Sequence, residues 1–375
     1  MNFYLRSPDI KKVCLVLSAL LLSFSLWAHP APDEIEVINI ENPAVQAYMA
    51  DSTYFYDNDW SKSVISQYNN TGKYGSKLYW PGGKEVTWTP TVQPADIAEI
   101  RVTLSYNPDY SYNIVYHPEQ VSASSYVIRN CYPNCTHYYK VEEILKNGTV
   151  TRVASGAFRT VGQVRMMQVL NCKNVRDMGG WPTSFGVPVN YGLLYRSANL
   201  DMITAKGRHD FAEVMGVGAE LDLRHEVKLT KSKLGQGKDY LRLKHTAGIN
   251  GLKSHSDVFV TDLKWIIARL REGKSVDWHC AIGCDRCGTV SFLIAGLLGV
   301  DEVGLSRDYE LSSLSYSKKF KRVRGHLKGM INYIRTFGDT GDNLQQCFYK
   351  YWLKIGMSAE QLDYFIGVMI DLPKK

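Results

Sequence analysis

The stretch that decides the fold is HCAIGCDRCGT, residues 279–289. A short apolar run from Val276 to His279 leads into it, and a longer apolar run from Val290 to Leu298 follows. The first run has the length of a buried strand and the second that of a buried helix. The sequence therefore predicts a loop between the end of a strand and the start of a helix. Such a loop gathers free backbone N–H groups and the positive end of the helix dipole, which together make an anion site.

The loop carries a candidate nucleophile and a candidate phosphate ligand. Cys280 lies where the amides and the helix dipole stabilise a thiolate, the nucleophilic form of cysteine. Arg286 follows six residues later and offers a planar guanidinium that fits two oxygens of a phosphate. This pair predicts phosphoryl transfer through a phosphocysteine. Asp285 is a candidate general acid for the leaving oxygen; the alternative is a structural role in which it holds Arg286 by an ion pair.

The loop resembles the His-Cys-x5-Arg signature of the protein tyrosine phosphatase superfamily. Its fuller form resembles a bacterial tyrosine phosphatase family whose loop carries its own aspartate, HCxxGxDR, followed by a small residue and glycine. Four further segments are similar to motifs of that family. They are Asn174–Gly180 (N-x-R-D-x-G-G), Gly192–Ser197 (G-x-x-Y-R-S), Leu221–Glu226 (D-L-R-x-E) and Asp308–Ser312 (D-Y-x-L-S). The resemblance covers about residues 165–375.

This resemblance implies a cysteine-dependent phosphatase domain and assigns roles around the loop. The substrate phosphate would be bound by Ala281, Ile282, Gly283, Cys284, Cys287 and Gly288. Supporting roles would fall to His279, which orients the loop, and to Asp177, Asp222 and Arg224. Upstream of the loop, Asp257 and Asp262 are alternative acids. The expected activity is that of a phosphoric monoester hydrolase of the protein tyrosine phosphatase type.

Two positions depart from the family's pattern. Members commonly have serine or threonine directly after the arginine, where the hydroxyl helps the thiol leave; here it is Cys287, which predicts slow turnover. Some relatives carry lysine at the position of Cys284, and in phosphoinositide phosphatases that lysine meets a second phosphate. Cys284 therefore disfavours a polyphosphorylated inositol substrate. Two alternatives stay open: a slow or inactive relative that binds a phosphorylated ligand, and a phosphatase of sugar or inositol phosphates.

The three loop cysteines also allow a redox hypothesis. A low-pKa thiol such as Cys280 is prone to sulfenic acid formation, and Cys284 or Cys287 could then form a reversible disulfide with it. It is equally reasonable that both are small fillers of the loop. Their spacing fits no common zinc pattern, so no metal and no cofactor is expected.

The N-terminus has the character of a secretory signal peptide, residues 1–28. Basic residues precede an apolar run from Val13 to Trp27, and the small residue Ala28 follows. The run is short for a membrane span, although an uncleaved signal anchor is the alternative. The mature protein is expected to be exported, periplasmic or secreted, without a stable membrane span. The N-terminal region is similar to exported members from Bacteroides-type bacteria.

The region upstream of the catalytic stretch has the pattern of β-structure. Apolar residues alternate with polar ones from Lys84 to Thr160, and Asn147-Gly148 predicts a hairpin turn of type I′. Cys131–Tyr138 resembles a corner of fibronectin type III domains. We therefore expect an all-β sandwich before an α/β phosphatase domain whose mostly parallel sheet is flanked by helices. The expected order is signal peptide 1–28, an extension with a short helix 29–79, the fibronectin-III-like sandwich 80–162 and the phosphatase domain 163–375.

Composition limits the classes of partner. Hydrophobic residues make up 45% and charged residues 22% of the chain, as in a folded globular protein. The net charge of +7 comes from 44 basic and 37 acidic residues, with no long basic run behind it. This indicates attraction for anionic substrates, such as a phosphorylated protein or a small phosphate ester, and no nucleic-acid partner. A surface or glycan partner of the β-sandwich is conceivable, but no residue identifies one.

Overall fold

The computed structural model describes residues 35–51, 53, 64–69, 73, 80–111, 113–225, 229–316 and 321–371. The predicted signal peptide lies outside these residues. So do Tyr112, within the alternating pattern of residues 84–160, and Glu226, the last residue of the D-L-R-x-E segment. Within the described ranges, no helix is long and apolar enough to span a bilayer. The described residues form two compact units, one of residues 35–40 and 81–163 and the other of residues 41–80 and 164–371.

The first unit is built from strands. They are β1 (Glu36–Asn39), β2 (Lys84–Thr87), β3 (Ile97–Ser105), β4 (Asn113–Tyr116), β5 (Ser125–Ile128), β6 (Thr136–Leu145) and β7 (Val150–Val161). Five of them form a sheet in the order β1-β7-β6-β3-β4, and β2 pairs with β5. All pairs are antiparallel except β1 with β7. The alternating apolar pattern therefore correctly predicted β-structure here.

The predicted hairpin joins β6 to β7, but its turn differs from the expected type. The Gly148 N–H donates to the Leu145 carbonyl at 2.9 Å. Gly148 has a φ of +86°, whereas Asn147 is not among the residues with positive φ. A type I′ turn needs positive φ at both central residues. The loop is therefore longer than a two-residue type I′ turn, with glycine alone supplying the left-handed conformation.

The second unit centres on a five-stranded sheet. Its strands are β8 (Arg176–Asp177), β9 (Leu194–Ser197), β10 (Val217–Asp222), β11 (Asp239–Arg242) and β12 (Ser275–His279). The order is β11-β10-β12-β9-β8; the first four strands are mutually parallel and β8 is antiparallel to β9. Parallel strands place their carboxyl ends along one edge, where ligands bind in sheets of this kind. Cys280 follows directly after β12 at that edge.

Helices supply the rest of this unit. They are α1 (Pro43–Met49), α2 (Ile65–Tyr68), α3 (Ala205–His209), α4 (Gly248–Ser254), α5 (Ser256–Arg271), α6 (Asp285–Leu297), α7 (Glu302–Leu311), α8 (Gly325–Arg335), α9 (Leu344–Ile355) and α10 (Ala359–Met369). Two apolar clusters bury alternate residues of the central strands. One contains Leu194 and Trp278, and the other contains Tyr195 and Val217. The sheet is thus covered on both faces, as a mostly parallel sheet requires.

The two units are not consecutive in the sequence, whereas the expected order placed a separate extension at 29–79. Residues 36–39 add a strand to the first unit, and residues 41–80 belong to the second. The short helix expected in that extension is α1, which the Asn42 side chain caps and Pro43 opens. Its apolar face explains the difference: Ala44, Val45 and Tyr48 are buried in the same core as Trp278.

Candidate active site

The loop at residues 280–284 connects β12 to α6, as the sequence predicted. Gly283 has a φ of +69°, and a Cβ on it would lie 2.5 Å from the Ser197 carbonyl oxygen. Both the left-handed backbone and the close approach to β9 therefore require glycine. The loop can follow its tight path only because this position has no side chain.

Donors from outside the loop hold its carbonyl groups. They are Asn199 Nδ2 to Ala281 (2.6 Å), the Tyr316 hydroxyl to Ile282 (2.6 Å), Asn174 Nδ2 to Gly283 (3.0 Å), and Arg196 Nη2 to Gly283 (2.8 Å) and Cys284 (3.1 Å). Because each peptide unit is planar, fixing its C=O also fixes its N–H on the other side. The bonds thus pre-orient the loop amides as donors, which is how protein sites stabilise phosphate oxygens.

A buried ionic cluster holds these donors in turn. Asp308 receives Arg176 Nε at 2.8 Å on one carboxylate oxygen and Arg196 Nη1 at 2.5 Å on the other. Arg176 Nη1 also donates to Asn174 Oδ1 at 2.5 Å. Burial acts to raise the pKa of the Asp308 carboxyl, but the two guanidinium groups outweigh it and lower that pKa. The motif segments around Asn174, Arg196 and Asp308 therefore meet behind one loop, although the sequence analysis assigned none of these three residues to the site.

Cys280 is buried, with 2% of its surface exposed, and its environment favours the thiolate. The strongest influence is a hydrogen bond from the Cys287 thiol to its sulfur. Burial opposes ionisation, but the amides of Cys287 and Ile282 and the positive charge of Arg286 reinforce that bond. The pKa of the Cys280 thiol is held well below its ordinary value, as expected for a sulfur at such a loop.

The other two loop cysteines have different surroundings. Burial, followed by the contact with Cys280, raises the pKa of Cys287 well above its usual range, so Cys287 keeps its proton and can donate it. Burial raises the pKa of Cys284 to about 12, and its thiol donates to the Ile282 carbonyl at 3.2 Å. Of the two candidate partners in the redox hypothesis, Cys287 is therefore the one in hydrogen-bond contact with Cys280. Disulfide formation itself stays a prediction.

Asp285 lies at the first residue of α6, but its ion pair is not with the neighbouring Arg286. Arg322 donates to both carboxylate oxygens, at 2.7 and 2.8 Å, and the Tyr309 hydroxyl donates at 2.7 Å. Burial acts to raise the pKa of Asp285, but these donors lower it overall. A carboxyl held in its ionised form is poorly prepared to donate a proton. The contacts therefore favour a structural role for Asp285, with Arg322 as the partner in place of Arg286.

Arg286 also starts α6 and contacts the sheet edge. Its Nη1 donates to the Leu223 carbonyl at 3.3 Å, and its charge contributes to the lowered pKa of Cys280. The guanidinium is therefore electrostatically coupled to the sulfur while being anchored to the end of β10. Gly288 lies two residues further, and a Cβ there would lie 2.7 Å from the Tyr309 ring.

The predicted supporting residues make scaffold contacts around the loop. His279 Nε2 lies 2.9 Å from Glu220 Oε1, and the ring is fully buried. Asp177 accepts bonds from the Gly179 and Gly192 amides, at 2.9 and 2.8 Å. Asp222 accepts both the amide and the guanidinium of Arg224; that guanidinium also donates to Asp201 at 2.6 Å. These contacts are those of scaffold residues that hold the backbone around the loop.

The two alternative acids, Asp257 and Asp262, both lie in α5. Asp262 is buried with an oxygen 3.0 Å from His245 Nε2, and Asp257 is an exposed residue in the first turn of α5.

One group in the described part of the chain has the composition of a metal site, namely Glu220, Asp222 and His279. Glu220 and Asp222 already accept hydrogen bonds from Ser232 and Arg224. These bonds account for the buried charges without an ion.

A sequence model of the tyrosine phosphatase family matches residues 167–354, half of the chain. No curated protein matches the chain. Among solved structures, the core catalytic domain of the PP-IP phosphatase SIW14 from S. cerevisiae is 14% identical; the match covers 41% of this chain and 84% of that one, with a TM-score of 0.29. TpbA from P. aeruginosa is 17% identical over 43% of this chain and 89% of that chain, with a TM-score of 0.29. A second structure of TpbA, in complex with pTyr, gives 16% identity, 46% and 95% coverage and a TM-score of 0.30.

Proposed function

Since this chain belongs to the tyrosine phosphatase family, we propose that it hydrolyses phosphate monoesters with Cys280 as nucleophile and Arg286 as phosphate ligand. The observation that carries this proposal is the place of Cys280 between β12 and α6, where the Cys287 thiol, the amides of Cys287 and Ile282 and the charge of Arg286 lower the pKa of its thiol well below the ordinary value. A thiolate at the base of a loop of oriented amides is suited to attack a bound phosphate.

The reaction has two steps. The Cys280 sulfur attacks phosphorus, the bond to the ester oxygen breaks, and the departing oxygen takes up a proton from solvent water. Water then attacks the phosphocysteine, the S–P bond breaks, and inorganic phosphate and the thiolate are released. In the second step the Cys287 thiol donates to the returning sulfur anion. Because S–H is a weaker donor than a hydroxyl, this step is slow.

The role of Asp285 can be tested with esters that differ only in their leaving group. If Asp285 anchors Arg322, Asp285→Asn and Arg322→Ala will each lower kcat/KM about 10-fold. The loss of kcat/KM will be the same for phenyl phosphate and for p-nitrophenyl phosphate, which has a far better leaving group. Steady-state kinetics of the two variants measure this, with Arg335→Ala, on the exposed surface, as the control for Arg322→Ala. A general acid would instead show an additional loss of about 10²-fold or more, confined to phenyl phosphate.

We propose phosphotyrosine, or an equally accessible phosphate, as the substrate class. The Cys284 side chain is buried and uncharged in its thiol form, so it offers no cation to a second phosphate. A panel of phosphotyrosyl and phosphoseryl peptides, sugar phosphates and inositol phosphates tests the assignment by phosphate release. The highest kcat/KM is expected for phosphotyrosyl peptides. A preference for inositol or sugar phosphates would overturn this substrate class, and binding without any release would favour an inactive phosphate-binding relative.

The proposal also covers the location of the protein and the fold of the first unit. The basic and apolar N-terminus supports an exported protein, periplasmic or secreted. The two sheets of the first unit, five-stranded and two-stranded, support a fibronectin-III-like sandwich.

A further inference from the structure

A segment far from the loop in sequence, of which the structure describes residues 41–51, 53 and 64–69, contributes to the core of the catalytic unit. It precedes the first unit's strands β2–β7 and lies outside the residues that the family model matches. The side chains of Tyr48 and Ile65 are fully buried in the cluster that contains Trp278 of β12. Tyr48 and Tyr68 pack edge to face, with ring centroids 5.7 Å apart. The described residues of this segment therefore bury side chains in the same core as the central sheet.

Four consecutive residues of α7 connect this segment to the catalytic loop. Arg307 donates to the carbonyls of Met49 and Asp51, and the Tyr48 hydroxyl donates to Glu310 Oε2 at 2.6 Å. Between them along the chain, Asp308 binds the arginine that holds the loop carbonyls, and the Tyr309 hydroxyl binds Asp285. One helix turn thus contacts the segment directly and is linked to the loop through Arg196 and Asp285.

A second set of contacts reaches Arg322, the partner of Asp285. Asn69, which is 1% exposed, donates from Nδ2 to the Ser313 carbonyl at 2.8 Å. The Ser313 hydroxyl accepts the Arg322 amide at 2.7 Å, and Glu310 Oε1 accepts the Arg324 amide at 2.7 Å. The backbone that carries Arg322 is therefore fixed on both sides by residues that the segment contacts.

We propose that Tyr48 and Asn69 are positioning residues for the catalytic loop. Acting through Glu310 and Ser313, they fix the backbone at residues 322–324, so that Arg322 meets Asp285 and the loop keeps its shape. The phosphatase unit is thus completed by a segment that the chain contributes before its β-strand unit. This inference rests on the proposed function for its kinetic consequence, but the loop geometry it concerns can be measured without catalysis.

The experiment uses the full chain with Tyr48→Phe and Asn69→Ala. Each is expected to lower kcat/KM for p-nitrophenyl phosphate about 5-fold to 10-fold. In the Arg322→Ala background, the same substitutions should have almost no further effect, because both routes act by fixing the backbone that carries Arg322. Hydrogen exchange of a peptide spanning residues 280–290 should become faster in both variants. Tyr349→Phe is the matched control, since it removes an exposed tyrosine–Asp363 hydrogen bond in the same unit and should change neither measurement.

The outcomes separate the two proposals. If the wild-type chain releases no phosphate but loop exchange rises in the variants, the proposed function fails and the positioning role stands. If the wild type is active and the variants match it in both kinetics and loop exchange, the positioning role is refuted. The positioning role would also be refuted if Tyr48→Phe and Asn69→Ala lowered kcat/KM as much in the Arg322→Ala background as in the wild type, with unchanged hydrogen exchange of the loop. That result would indicate a general loss of stability.

Discussion

Replacing Cys280 with serine is expected to lower kcat at least about 10⁴-fold, the scale on which other hydrolases lose activity without their nucleophile. The reason is specific to sulfur at this site. Hydrogen bonds from the Cys287 thiol and two amides, together with Arg286, lower the pKa of the thiol well below its ordinary value. A serine hydroxyl in the same place keeps its proton at neutral pH, so no anion is available to attack phosphorus.

Binding should survive this substitution, because the loop amides and Arg286 remain. Calorimetry with a phosphotyrosyl peptide measures it, and phosphate release measures the loss of turnover. Cys135→Ser, in the first unit, is the control and should retain full activity. Iodoacetamide at pH 6 followed by peptide mapping should label Cys280 before Cys284 or Cys287, whose pKa values are raised. Retention of more than a few per cent of wild-type activity by Cys280→Ser would remove this residue from the mechanism.

Local features of this site could be predicted from the sequence because they depend on neighbouring residues. The apolar runs on either side of residues 280–286 correctly predicted the strand and the helix. Helix caps depend on neighbouring residues in the same way: Asn42 caps α1, and Ser358 and Gln361 form a capping box at the start of α10. In each case, hydrogen bonds within a few residues determine the conformation.

Contacts between distant residues could not be predicted in the same way. Asp308 lies 132 residues from Arg176 and 112 from Arg196, and no periodicity indicates that they meet. The family resemblance marked the segments that carry them, but not the loop atoms that they hold. Arg322 belongs to no recognised motif, so Asp285 was given the wrong ion-pair partner. The burial of Ala44, Val45 and Tyr48 in the catalytic core had only one local signal, the apolar face of a short helix.

The buried cluster behind the loop also determines stability, since it places one carboxylate between two guanidinium groups with almost no solvent. Such a cluster is costly to form and more costly to break, because removing one charge leaves the others buried without compensation. Asp308 is 4% exposed, and Arg176 and Arg196 are 1% and 0% exposed. The chain retains this arrangement where Arg196 holds two carbonyls of the catalytic loop.

Asp308→Asn is therefore expected to lower the free energy of unfolding by about 3–5 kcal/mol, the usual result of breaking a buried ion pair. It should also slow phosphate release from the fraction that stays folded, because Arg196 is no longer held against the Gly283 carbonyl. Urea denaturation of the full chain, followed by tryptophan fluorescence, measures the first effect. Asp342→Asn is the control, since it breaks an ion pair to Lys350 near the surface and should leave the urea midpoint almost unchanged. If the two variants unfolded at the same urea concentration with wild-type kinetics, the loop would be held by its own backbone, and the ionic cluster behind it would be dispensable.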